Sequence, residues 1–395
     1  MSRSAPPPRT PAVARVLTQL GGMPVREFLA RYWQRRPLVI RRALPGFDSP
    51  FTAEMLFELS MRDEVESRLI DRARGRWRLR HGPLRRAAIP SRKRPGWTLL
   101  VQGVDLHLQQ GADLLARFRF LPDARLDDLM VSYASDGGGV GPHVDSYDVL
   151  LLQAYGRRRW RIQRRPDPSC VPGLPIRQLA RFSSQREWVL EPGDLLYLPP
   201  GVAHDGVALG ESITCSIGFR TPSWADLAAA CNELQQEEDG GDSNDSRLAL
   251  RDAGIAPSSH PARLPLRMVE QAVRALQRRR PTRVQIEQAM LRQASEPNPR
   301  VVFEPPARAM ALARFAEALR LRGASSDRRT RMLYSDRTLA INGELVPLLG
   351  AEQRRVLKSL ADRRQVPAPE LQQKLPVTAL SLLHKWYSAG WIHLQ

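Results

Sequence analysis

The chain's 395 residues, 42% of them hydrophobic, suffice for two or three cored domains, and no apolar run reaches the about eighteen residues of a membrane helix. Three cysteines, Cys170, Cys215 and Cys231, lack metal-type spacing, which excludes a disulfide framework and a cysteine zinc site and fits a reducing compartment. The formal charge of +19 invites a nucleic-acid reading, yet Lys supplies only four of sixty basic residues and Arg is spread along the chain, so a general preference for Arg explains it as well as attraction to ribonucleoprotein does.

Residues 1–20 are expected to be disordered, being Pro- and Ser-rich at their start, and with no apolar run before Arg15 a secretory leader is not expected, which leaves the cytoplasm as the location. Phe28, Tyr32 and Trp33 recur at helical spacing between Met23 and Pro37, and a short strand follows at Leu38–Arg41. After a helix at Ala53–Met61, period-two alternation of Arg with other residues from Ser67 to Arg80 predicts one strand with a basic outer face, read as a charged edge that resists aggregation, the alternative being a contact with RNA or an acidic protein. Trp97–Gly103 and Leu129–Ala134 are strands, and Asp105–Phe120 is helical.

The stretch from Gly137 to Trp160 organises the chain. If Val144–Gln153 is a strand, His143 and Asp145, two apart, point to one face. With His204 as third ligand they make the two-histidine, one-carboxylate set that leaves coordination positions open on Fe(II). For a bare His-x-Asp the alternative is a hydrogen-bonded pair at a loop edge. After a turn at Gly156, Arg158, Trp160 and Ile162 share a face that reads as buried, while Arg157, Arg159 and Arg161 share a solvated one. An inward guanidinium is costly without an anion, and its planar fork suits a carboxylate; Arg158 is therefore assigned to the distal carboxylate of 2-oxoglutarate, the alternative being an internal pair with Asp148 or Asp194. A short strand at Trp188–Leu190, then Leu195–Leu198 and Ile213–Phe219, complete an antiparallel barrel over residues 21–222.

Beyond Thr221 the composition changes. Ser223 with Asp226 makes a capping box, and Trp224, Leu227, Ala228, Cys231 and Leu234 form one stripe. Glu237–Asp245 reads as a mobile acidic linker, followed by amphipathic helices at Leu266–Gln277 and Arg283–Gln293, the second capped by Thr282 with Gln285. Residues 223–300 are thus a helical region whose apolar stripes need a partner, for which a second copy of the chain is the candidate. Residues 301–395 carry helices at Ala307–Leu321, Ala351–Ala361, Pro369–Lys374 and Val377–Ala389, a hairpin signal at Asn342-Gly343 and a last strand at Trp391–Leu394, a winged-helix-like order. The would-be recognition helix offers only His384 and Lys385 as cations, so a protein contact is favoured over sequence-specific DNA reading.

The spacing Gly137, His143, Asp145, Val149, Gly156, then Gly193, Pro199 and Gly201, resembles the two cupin motifs, with the exchange of ligands seen in the JmjC branch. Leu-Met-Val-Ser-Tyr, the run Gly-Gly-Gly-Val-Gly-Pro-His-Val-Asp-Ser-Tyr-Asp-Val, Gly-Arg-Arg-Arg-Trp-Arg-Ile and Gly-Phe-Arg-Thr-Pro resemble the bacterial ribosomal oxygenases. The resemblance implies an α+β architecture: a double-stranded β-helix, a helical dimerisation region and a winged-helix domain. It implies Fe(II) on His143, Asp145 and His204, 2-oxoglutarate on Arg158 with Ser132 assisting, and O2 as the other co-substrate. It also implies hydroxylation of an arginine in a large-subunit ribosomal protein, by a homodimer. An arginine target calls for a carboxylate and a flat surface at the barrel mouth; by position in the chain Asp136 and Tyr155 are the candidates. The competing readings are a histidine hydroxylase, a lysine demethylase, and a non-catalytic cupin that contacts ribosomal RNA through its charge.

Overall fold

Glycine-bounded, Val- and Leu-rich segments set the architecture, which the computed structural model describes for residues 15–73, 76–220, 222–236, 252–276, 281–372 and 375–395. A small hairpin, β1 (Gln19–Leu20) and β2 (Met23–Pro24), leads into α1 (Val25–Arg31), β3 (Leu38–Ile40) and α2 (Ala53–Ser60). There follow β4 (Ser67–Ala73), β5 (Arg76–His81), β6 (Trp97–Val101), α3 (Val104–His107), α4 (Gln109–Ala116) and β7 (Leu126–Ala134). The barrel closes with β8 (His143–Val144), β9 (Asp148–Gln163), β10 (Arg186–Leu190), β11 (Leu195–Leu198) and β12 (Ala203–Phe219). Ten strands share one sheet, running β3, β11, β9, β12, β7, β6, β4, β5, with β10 added on β9 and β8 on β12.

The strands β9 and β12 form a ribbon that folds back on itself. They pair from Gln163 opposite Ala203 to Asp148 opposite Phe219, with the register slipping beside Gly156 and Gly210. Both glycines have left-handed φ, 63° and 77°, and a Cβ on Gly156 would run into the Glu211 carbonyl. Arg158 reveals the bend: it pairs with Ala208, yet its guanidinium reaches Ser132 and Thr214. A straight strand would carry Thr214 about 20 Å past Ala208. The two halves of the ribbon therefore face each other across the barrel interior.

Helices α1 to α4 cover the outer face of this sheet. Trp33 stacks on Tyr197 at 5.5 Å and meets Phe219 edge-on at 5.0 Å, tying the end of the first helix to β11 and β12. Fully buried Arg125 bridges Asp148 at 3.2 Å and Asp252 at 3.3 Å, while the Tyr197 hydroxyl donates to Asp148 Oδ1 at 2.6 Å. This buried network of ion pairs and hydrogen bonds fixes the start of β9 just beyond Asp145.

The helical region comprises α5 (Trp224–Gln236), α6 (Leu266–Leu276) and α7 (Arg283–Ser295), with both expected capping pairs formed. The last part carries α8 (Leu312–Arg322), β13 (Ala324–Ser326), β14 (Met332–Tyr334), β15 (Thr338–Ile341), β16 (Glu344–Pro347), α9 (Ala351–Arg363), β17 (Gln365–Val366), α10 (Val377–Ser388) and β18 (Ile392–Leu394). The turn at Asn342-Gly343, both with positive φ, joins β15 to β16 as the dipeptide demands.

Several expectations need correction. The segment Ser67–Arg80 is two strands, β4 and β5, paired with Ala73 opposite Arg76. The helix expected over Asp105–Phe120 breaks at Leu108, whose extended backbone separates α3 from α4. The strand expected over Val144–Gln153 is interrupted, since β8 ends at Val144, β9 begins at Asp148 and Asp145 lies between them, and Gly156 does not end a strand: β9 continues through it. Leu227, Cys231, Met268, Ile286 and Met290 share a core with Leu333 of β14 and Ala340 of β15, so much of the helical stripes packs within the chain, while Leu266 and Val284 stay exposed. The acidic stretch Glu237–Asp245 lies outside the described residues.

Candidate metal centre

The register of β8 on β12 places His143 directly opposite His204, with ring centroids 4.2 Å apart. Each imidazole is oriented by a carbonyl two residues earlier: His143 Nδ1 lies 2.9 Å from Gly141 O and His204 Nδ1 3.2 Å from Val202 O. A carbonyl only accepts, so Nδ1 carries the proton and the Nε2 lone pair of each ring is free for a metal. Asp145 completes the set, its Oδ1 4.0 Å from His143 Nε2 and its Oδ2 3.5 Å from His204 Nε2. One ligand atom from each of the three lies within 4.8 Å of the others, the span of a single coordination sphere with bonds of about 2.1 Å. Burial, and then the neighbouring His143, push His204 down to about 4 against the pull of Asp145, so it is a neutral ligand near neutrality.

Arg158 is buried within the barrel and has no carboxylate within ion-pair distance among the described residues. Its Nη1 donates to Ser132 Oγ at 3.3 Å and Thr214 Oγ1 at 3.4 Å, and its Nη2 to Gly206 O at 3.3 Å; Nε has no partner. Burial lowers its pKa to about 10, which still leaves a full positive charge, so neutral acceptors at long range surround a buried cation. The two internal partners considered from the sequence are taken: Asp148 by Arg125, Asp194 by Arg41 at 2.6 Å. Arg161 pairs instead with Asp205 at 2.6 Å, and Arg157 is exposed.

Ser132, Thr214 and Gln153 form a cross-strand row on β7, β12 and β9, and Thr214 donates to Gln153 Oε1 at 3.0 Å. Thr214 was not singled out in the sequence; three polar residues in register across apolar strands would have been the signal. The arrangement fits a bound dicarboxylate whose remote end meets Arg158, Ser132 and Thr214.

Asp136 and Tyr155 are not at the mouth. Both lie at the bend of the ribbon: Asp136 Oδ1 accepts from Gly210 N at 2.7 Å, and exposed Tyr155 adjoins Gly156 opposite Ile213. His204 pairs with Ile162, six residues from Gly156, so about 20 Å of strand separates them from the metal ligands. The mouth is lined instead by residues that follow Asp145. A cavity of about 300 Å³ is bordered by Ser146, Tyr147, Asp127, Phe219, Arg220 and Met290. Burial raises the Tyr147 phenol, with Asp145 and Asp128 adding to it, so the hydroxyl keeps its proton. Burial, then Asp105 and Asp127, push Asp128 up to about 7. Asp127, which lines this cavity, is paired with Arg220 at 2.9 Å, and Asp128 accepts from Gln102 Nε2 at 2.7 Å and Gly103 N at 3.0 Å, so a cation entering here would meet the Tyr147 ring beside carboxylates that already have partners.

Residues 113–227 match the JmjC domain family, and residues 274–393 match the ROXA-like winged helix. The chain is 39% identical over 238 residues to the ribosomal protein uL16 3-hydroxylase of Escherichia coli, covering 60% of this chain and 62% of that protein. It is 36% identical over 208 residues to a probable ribosomal oxygenase of Haemophilus influenzae, covering 51% and 50%. The matched stretch thus spans less than two thirds of these curated relatives. In structure it is similar to Escherichia coli ycfD, with a TM-score of 0.79 at 29% identity over 96% of this chain and 100% of that one. It is also similar to the ribosomal oxygenase YcfD of Escherichia coli solved with cobalt and 2-oxoglutarate, with a TM-score of 0.77 over 95% and 99%. The fold is a JmjC cupin barrel with a winged-helix domain after it.

Proposed function

From a chain that carries a JmjC domain followed by a ROXA-like winged helix, we propose an Fe(II)- and 2-oxoglutarate-dependent oxygenase that hydroxylates an arginine side chain of a large-subunit ribosomal protein. The observation that carries this reading is Arg158, a buried guanidinium without a carboxylate, inside the barrel whose open end holds His143, Asp145 and His204. When bound, Fe(II) with 2-oxoglutarate and O2 supplies the oxidant, the 2-oxoglutarate leaving as succinate and CO2.

The residues of this chain bind and orient. His143, Asp145 and His204 would hold the metal as a two-histidine, one-carboxylate set, which leaves it able to take ligands from solution. Arg158, Ser132 and Thr214 hold the distal carboxylate, so that the keto acid end lies toward the metal ligands. At the mouth, the target guanidinium competes with Arg220 for Asp127 and the Tyr147 ring lies against it; a guanidinium arriving beside Asp128 draws off the proton that burial favours. These carboxylates support a cationic side chain over histidine as the target. A ribosomal target places the reaction in the cytoplasm; among the described residues no helix is long and apolar enough to cross a membrane.

The test is mass spectrometry of ribosomal proteins from cells with and without this chain. The expected result is one added oxygen atom on one arginine of a large-subunit protein in the first sample only. If every ribosomal arginine is the same in both, the substrate assignment fails.

A further inference from the structure

The charge of the chain is more concentrated than its composition suggests. Residues 67–96 hold eleven Arg or Lys and a single Asp, which is +10 of the net +19 in one short stretch. This stretch is built around the β4–β5 hairpin, and β5 is the terminal strand of the sheet, paired only with β4. Arg76, Arg78 and Arg80 alternate along β5 and are all exposed, and Arg72, Arg85, Arg86 and Lys93 are exposed beside them. The one acidic residue, buried Asp71, is shared by Arg80 and Arg94 at 3.4 Å each. Arg92 is held by Glu211 and Glu54. Among the described residues, Arg72, Arg76, Arg78, Arg85, Arg86 and Lys93 form no ion pair.

A charged edge that only resists aggregation needs one or two cations. Here three guanidiniums stand along a single strand, and the one acid that offsets their repulsion, Asp71, reaches Arg80 alone of the three and is shared with Arg94. Alternate residues on a strand are about 7 Å apart, so the row presents regularly spaced cations to an extended polyanion. On the other face of the hairpin half-buried Trp77 lies with its cross-strand partner Arg72, the guanidinium 5.5 Å over the ring, so a strand of nucleic acid along this edge meets cations on one side and an aromatic with arginine on the other, a mixture that suits stacking with bases rather than pairing with carboxylates alone. The Trp77 face of the hairpin leads toward the mouth of the barrel. Arg68, opposite His81 on β5, donates to Gln102 Oε1 at 3.3 Å, and Gln102 donates to Asp128 at 2.7 Å.

We propose that the β4–β5 edge, through Arg72, Arg76, Arg78 and Arg80 with Trp77, binds the phosphodiester backbone of single-stranded RNA without reading its sequence. This does not rest on which side chain the metal centre modifies. The phosphates meet the guanidiniums of β5 on one side of the edge, and Trp77 with Arg72 offers a face to a base on the other.

The test uses the full chain and a fluorescein-labelled mixed-sequence oligoribonucleotide, followed by anisotropy over a salt series, with fluorescein-labelled polyglutamate of matched charge in parallel. The variant R76Q/R78Q/R80Q removes the row without reversing it. A control variant, R308Q/R314Q/R337Q, makes the same change in charge on exposed residues of the last domain. Thermal melts of each variant check that it is folded. The expected result is that the edge variant loses RNA affinity about tenfold or more at low salt, and that its slope of log K against log salt falls by about 2, three contacts at about 0.7 each. The control variant keeps both. Equal losses in the two variants would mean bulk charge and would overturn the proposal. So would polyglutamate binding as tightly as RNA, which would make the edge a site for acidic protein, or the wild-type chain failing to bind RNA.

Discussion

Two buried groups in the barrel have opposite dependences on what is bound. Arg158 is a cation enclosed by neutral acceptors, so the free protein carries its desolvation cost and the distal carboxylate of a co-substrate relieves it. Arg158→Met should therefore raise the free energy of unfolding of the ligand-free protein, by about 1 kcal/mol or more, while weakening 2-oxoglutarate binding by a hundredfold or so, about 2.7 kcal/mol. Denaturant unfolding and calorimetric titration check the two signs; a variant that loses both stability and binding would show Arg158 to be a packing residue. The acids near the mouth give a second case. Burial first, and then mutual repulsion in the case of Asp128, push Asp105 up to about 6 and Asp128 up to about 7. The folded chain then holds protons that the unfolded chain has released, so stability is greatest below the unfolded carboxylate range and falls as pH rises from about 4 to about 7. Asp128→Asn should flatten that fall, seen in denaturation midpoints at about pH 5 and about pH 7, and should raise KM for an arginine peptide with little change in the 2-oxoglutarate KM. A steeper fall in the variant would contradict the assignment.

The ribbon of β9 and β12 is the element that turns separate residues into a site. It holds Arg158 in one half and Thr214 in the other, and it faces them only because it folds at Gly156 and Gly210. Gly156→Ala adds a Cβ against the Glu211 carbonyl in a backbone region that L residues avoid. It should cost at least about 2 kcal/mol and reduce 2-oxoglutarate affinity although no ligand-holding side chain has changed; wild-type stability and affinity in that variant would show that the bend tolerates a side chain. The same element explains what could be read in advance. His143 and Asp145 were legible because two ligands two residues apart share a face in any extended segment, and Arg158 because Trp160 and Ile162 beside it mark the buried parity. Asp136 and Tyr155 misled because nearness to His143 or Arg158 along the chain says nothing of which end of a folded ribbon a residue occupies. Asp128 and Tyr147 were invisible as a pair, since their approach depends on β7 lying beside the end of β12. The β4–β5 hairpin was hidden because arginine at every second position continues unbroken through the turn.

At the scale of the whole molecule, the last domain is fastened to the barrel where the mouth begins. Arg331, just before β14, donates through Nη2 to Leu126 O at 2.7 Å, through Nη1 to Asp127 O at 3.2 Å and through Nε to Ala294 O at 3.2 Å, so one side chain joins the barrel, α7 and the winged-helix part. Arg119 makes the reciprocal contact from the barrel, donating to the Ala361 and Asp362 carbonyls at the end of α9. On α10, His384 Nε2 lies 2.7 Å from Met310 O and Lys385 pairs with Glu344 at 2.7 Å, so the cations of that helix are spent inside the domain. These contacts make the winged-helix part a brace for the first residues of β7, where Asp127, paired with Arg220, borders the cavity proposed for the substrate. Arg331→Met keeps length and burial but removes all three donors, leaving carbonyls that a charged group had satisfied. The expected cost is about 2 kcal/mol of stability. Amide exchange should quicken at residues 126–128, and KM for the protein substrate should rise with 2-oxoglutarate affinity unchanged, because Ser132, Thr214 and Gly206 hold Arg158 from further along the strands. If exchange at 126–128 stays at the wild-type rate while overall stability falls, the domain does not brace the mouth, and the substrate-binding role of the β7 start has to stand on the barrel alone.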